Sequence, residues 1–150
     1  MSSQEKRVAV SLFSSIIVFW YFITYATGLH TGGALTGPDA NYLVGKIAFI
    51  MIGIGIVATI IIHIIFTIIY TVAKGEQDEA ESEDERDKLI ELKAMHIAFV
   101  VFSFAFMGLL GFMAFGGMGP YMVILHTIGS LYAASILADC IKLFLYRRGF

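Results

Sequence analysis

His63 and Asp139 each stand inside a long apolar run of this 150-residue chain. Ionisable groups in such surroundings are costly and usually face a partner or a cavity. Around the first of them, Thr59, His63, Thr67, Tyr70 and Lys74 recur every three or four residues. At about 100° per residue they form one helical stripe. Tyr132, Ser135, Asp139 and Lys142 form a second stripe, and His96 shares a face with Ser103 and Met107. His63, His96, Asp139, Thr59 and Thr67 together would suit a bound cation or a proton relay, because an imidazole titrates near neutrality. His30 and His126 fall toward the other side of the membrane. The thirteen residues from His126 to Asp139 rotate by about 220°, so these two cannot line one pathway along their helix.

The four histidines divide into two pairs, His63 with His96 and His30 with His126. Paired imidazoles from neighbouring helices are the axial ligands a b-type haem needs. No spacing signature supports haem, and no cofactor is expected. Each group also has a plainer reading. A histidine within a helix is commonly a hydrogen-bonded structural residue, and Asp139 lies three residues from Lys142, within reach of an ion pair. No metal cage, nucleophile, phosphate loop or nucleotide motif appears, and the single cysteine, Cys140, excludes an intrachain disulfide.

The elements that must hold these residues follow from composition. The chain is 58% hydrophobic and only 15% charged, against about 25% charged for a soluble domain. Four runs, at 8–28, 47–73, 94–115 and 121–145, reach the roughly 20 apolar residues that cross a bilayer. The fold class expected is an all-α, integral membrane four-helix bundle of two antiparallel hairpins, forming a single transmembrane domain over 1–150. The first run is too long for a cleaved signal and is expected to be a span. Ser130, Ala134 and Ala138 make a small-residue stripe for close helix packing, and Gly53 and Gly55 allow a second close approach.

Charge sets the orientation. Nine of the ten Lys and Arg residues lie in the N-terminal, central and C-terminal segments, and only Lys46 lies on the other side. Both termini and the loop 74–93 are therefore expected to be cytoplasmic. That loop holds nine of the twelve acidic residues. Ser82 to Glu85 reads as a capping box, and Asp84 with Lys88 as an i,i+4 pair, so helix 3 is expected to start two or three turns before the membrane. Residues 82–93 are either a solvated helix start or a docking surface for a cytoplasmic partner. In the outer connection Asp39 or Asn41 is expected to cap helix 2, and GGMGP to stop helix 3 and start helix 4.

The stretch DERDKLIELKAMHIAF resembles a segment of small bacterial four-helix inner-membrane proteins, in which an Asp-Glu-Arg run leads into the third helix. The resemblance implies a multi-pass protein of the inner (plasma) membrane and transfers no activity or site residue. The residues themselves favour a non-enzymatic protein that works by self-association or as an accessory subunit of a larger membrane complex. Transport of a small ion or proton is the alternative, and haem electron transfer a third. Beyond the lipid bilayer, the partners expected are copies of itself or other membrane subunits. No basic patch exists to bind nucleic acid.

Overall fold

The computed structural model describes residues 3–33, 35, 37–74, 85–117 and 119–148. They form four helices, α1 (Ser3–Thr31), α2 (Ala40–Lys74), α3 (Glu85–Ala114) and α4 (Pro120–Arg148). The capping residues Ser82 and Asp84 and the side chains of Tyr70 and Lys74 lie outside this description. All four helices are long and apolar enough to cross a membrane. At about 1.5 Å per residue, the 29 residues of α1 reach about 44 Å and the 35 of α2 about 52 Å, beyond a hydrocarbon core of about 30 Å. Large apolar side chains cover the outside, with Phe49 81% and Trp20 73% exposed. That surface is stable in lipid and not in water. The chain is a multi-pass integral membrane protein.

Short connections join α1 to α2 and α3 to α4 at one end of the bundle, the hairpin end, and the start of α1 and the end of α4 lie at the other, the terminal end. The α3–α4 turn has a defined cause. Gly117 N–H donates to Phe112 O at 2.9 Å and Gly116 N–H to Met113 O at 3.2 Å, with Gly116 at φ +78°. This is a Schellman stop, in which the left-handed residue is a glycine because a Cβ would strain it. Pro120 then opens α4 where no helical N–H is needed. At the start of α2, Asp39 occupies the cap position and its carbonyl accepts from Leu43 N–H at 2.9 Å. Asn41 is already inside the helix and is not the cap.

The core is asymmetric. Near the hairpin end, α1, α2 and α4 close on Phe22, Val44, Ala48, Leu125 and Ile128, and Leu35 folds in from the connection to plug them at 3% exposure. Tyr132 of α4 reaches across to donate to Met51 O at 3.3 Å. A Cβ at Gly55 would sit 2.7 Å from the Tyr132 hydroxyl, so a side chain there would displace that hydroxyl from Met51 O. Gly53 meets nothing within 4 Å and faces outward, so of the two glycines expected at a helix contact only Gly55 makes one.

Each hairpin pairs as the sequence implies, but the four helices do not form a square. α4 is central and packs on α1, α2 and α3, whereas among the described residues α3 packs on α4 alone. The buried residues of α3 are Ile90, Ala94 and Ala98, one every fourth position, all in the half nearer the terminal end. Since α4 is the only helix there to cover them, the α3–α4 seam is built on small residues, with Ala134 buried on the α4 side. Ser130, expected in the same stripe, instead borders a groove on the α1 side.

Candidate functional site

Because α2 and α3 do not meet, a groove remains between them with α4 as its floor. It has a volume of about 650 Å³ and runs from the middle of the bundle toward the terminal end. Its middle is walled by Ile52 and Ile56 of α2, Phe99 and Phe102 of α3 and Leu131 of α4. Toward the terminal end the lining turns polar, with Ser11 and Ser15 of α1, Thr59 of α2, and Ser135 and Lys142 of α4.

Beneath that polar end lies Asp139, 5% exposed. Ser11 Oγ donates to its Oδ2 at 2.8 Å, and the Ser15 hydroxyl lies near the carboxylate. Lys142 Nζ stands 4.0 Å from its Oδ1, the i,i+3 pair expected from the spacing. The same ammonium reaches Glu91 Oε1 of α3 at 3.4 Å. One turn further along, the Tyr146 hydroxyl of α4 lies near Asp87 of α3. Asp139 and Lys142 are thus the centre of a polar clamp that joins α1, α3 and α4 beside the buried Ile90 of α3. A buried carboxylate is tolerated only with such partners.

His63 lies within electrostatic reach of Asp139. Its Nδ1 is 2.9 Å from Thr59 O. A neutral ring donating there keeps its Nε2 as an acceptor. Thr67 is exposed and donates to His63 O at 2.9 Å, which satisfies its hydroxyl within α2. His63, Thr59 and Asp139 therefore share one end of the bundle as the stripes imply, with Thr67 a turn beyond. His96 does not join them. It is exposed on α3, beside Leu92, Lys93 and Ile97, and α3 does not pack on α2. His63 and His96 thus stand on helices that, among the described residues, do not pack on each other.

His30 and His126 do border one space, a groove of about 600 Å³ between α1 and α4 near the hairpin end. His126 Nδ1 is 2.8 Å from Met122 O. Beneath them the helices are closed, since the Phe22 ring would meet a Cβ at Gly129 at 3.4 Å. A macrocycle between α1 and α4 would have to part that contact. The two grooves have no lining residue in common, so they do not form one route across the bundle. Among the described residues no three His, Cys, Asp or Glu side chains are placed to hold a metal ion.

No family model, curated protein or solved structure matches the chain.

Two features of this site escape a reading by type and spacing. Glu91 belongs to the acidic block and looks like one more solvated charge, yet it binds Lys142. The available signal was depth. Glu91 precedes the third apolar run by three residues and Lys142 lies three before the end of the fourth, so antiparallel neighbours place them about 9 Å apart along the axis, within reach of two long side chains. The second is the Ile90, Ala94, Ala98 face, whose four-residue spacing is visible once α3 is known to begin at Glu85.

Proposed function

We propose that the chain is a small, non-enzymatic protein of a bacterial inner membrane, with both termini cytoplasmic, that works by association within the bilayer. Its groove between α2 and α3 receives a transmembrane helix of a partner. The observation that carries this reading is the isolation of α3, which among the described residues leans on α4 alone and leaves its other faces and that of α2 uncovered. Lipid tails are as apolar as these side chains, so burial from water does not drive association here. Helices in a bilayer associate through close packing and polar contacts, and the groove offers both. The excess of Lys and Arg on the terminal side supports the orientation.

The test is to fill the groove. Leu131 lines it and is 49% exposed, so Leu131→Trp adds bulk without entering the core. In mild detergent the unaltered protein is expected to migrate in an assembly larger than one chain. The tryptophan variant should lose that assembly by about tenfold, on the order of 1.4 kcal/mol, while its thermal unfolding stays unchanged. A variant that assembles as well as the parent removes the groove from the account.

A further inference from the structure

We infer that the outer face of α4 at the terminal end binds the headgroup of an anionic phospholipid, held by Arg147 and Arg148. Both arginines are exposed, and among the described residues neither is paired with a carboxylate. Their position around the helix turns them toward lipid. Lys142 points to α3, where it meets Glu91. At about 100° per residue, Phe144, Arg147 and Arg148 stand about 160°, 140° and 120° from Lys142 around α4. They are therefore on the side turned away from α3 and its acids, Glu85, Asp87 and Glu91. On α1, Glu5 and Lys6 have partners, and Arg7 is exposed. Against two carboxylates, Glu5 and Asp139, the described residues of α1 and α4 set five cations at this end, Lys6, Arg7, Lys142, Arg147 and Arg148.

The local chemistry suits a lipid that is apolar below and negative above. Phe144 is 55% exposed, and the Arg148 guanidinium lies 5.0 Å from the centre of its ring. The ring's quadrupole attracts a cation held over its face. The ring thus meets acyl chains while the guanidinium stays at headgroup depth. Each guanidinium presents a planar fork of donors that matches two phosphate oxygens. Every phospholipid carries phosphate, but a zwitterionic head brings its own ammonium, which two arginines repel. An anionic head brings none. This face lies outside the groove between α2 and α3, so the inference does not depend on what that groove receives.

Cys140, the chain's single cysteine, is exposed and precedes Arg147 by seven residues, on the same face and about 10 Å deeper in the bilayer. A fluorophore on it, in the full chain in zwitterionic vesicles, reports which lipid stands below the arginines. Phospholipids with a quenching spin label near the top of the acyl chain are titrated in. One series has a glycerol head and a net negative charge, the other a choline head. The anionic series is expected to be preferred about tenfold, since each arginine near a charged surface adds a severalfold gain. Arg147→Gln or Arg148→Gln alone should leave about a threefold preference, and the two together none. Lys46→Gln, exposed at the hairpin end, should change nothing. Equal quenching by the two series overturns the inference. So does a preference that survives the double variant, or one that Arg7→Gln removes as fully, since charge would then act without a site. Inorganic phosphate, exchanged for chloride at equal ionic strength, should leave the anionic lipid in place. If it displaces the lipid, the arginines take free phosphate and the lipid assignment fails.

Discussion

Replacing Lys142 by methionine is expected to destabilise the protein by about 3–5 kcal/mol, the cost of leaving a buried charge without its partner. Asp139 is 5% exposed, and Lys142 is the cation that both it and Glu91 contact. The Ser11 and Ser15 hydroxyls remain in the variant, but they supply dipoles and no charge. Two controls separate this cause from lost packing. Asp139→Asn combined with Lys142→Met should recover most of the loss, because the double variant buries no unpaired charge. Glu91→Gln alone should cost under about 1 kcal/mol, since a half-exposed ion pair is weak. Reversible unfolding in mixed micelles, at fixed detergent composition, measures all three. A methionine variant within 1 kcal/mol of the parent would mean that the carboxylate needs no ammonium, and the clamp would lose its meaning.

Substituting leucine for Ala94 should detach α3. Ala94 is fully buried in the α3–α4 seam. Three added carbons have no space there, and overpacking of this kind costs about 1–3 kcal/mol. Elsewhere a helix can shift toward another neighbour. Among the described residues α3 has none besides α4, so the strain is relieved by separation. The expected result is a loss of energy transfer between labels on α3 and α4, together with loss of the Glu91–Lys142 pair. Leucine at Phe104, 76% exposed on the same helix, should leave both unchanged. If Ala94→Leu keeps the labels together, the seam is looser than its burial implies.

These two expectations draw on different amounts of sequence information. The four helices were legible because a bilayer demands apolar runs of a fixed length, and the chain supplies four. The start of α2 was legible from its cap: the helix begins at Ala40, directly after Asp39, although the apolar run starts only at residue 47. Asn41, Tyr42 and Lys46 are exposed on the helix surface near its hairpin end and do not interrupt it. Leu35, one apolar residue in a Gly-rich connection, gave no sign that it would plug the core. The Asp139–Lys142 pair was legible because it is local to one helix.

What could not be read was which helices touch. Spacing tells which residues share a face and says nothing about what lies opposite. His63 and His96 therefore look like possible partners until α3 is seen to pack away from α2. Gly53 and Gly55 differ by two positions, about 200° of rotation, and only the position of Tyr132 decides which of them lies at a contact. The groove itself is a property of arrangement and has no motif.

The most direct test of the groove as a docking face is photo-cross-linking in the cell's own membrane. A photoreactive residue is placed in turn at Ile56 and Phe99, which line the groove, and at Phe49 and Phe104, exposed apolar positions that do not. A discrete protein adduct from Ile56 and Phe99, absent from Phe49 and Phe104 and lost on adding Leu131→Trp, is the result expected. Adducts with lipid alone at all four positions, or protein adducts only from the two outer ones, would contradict it.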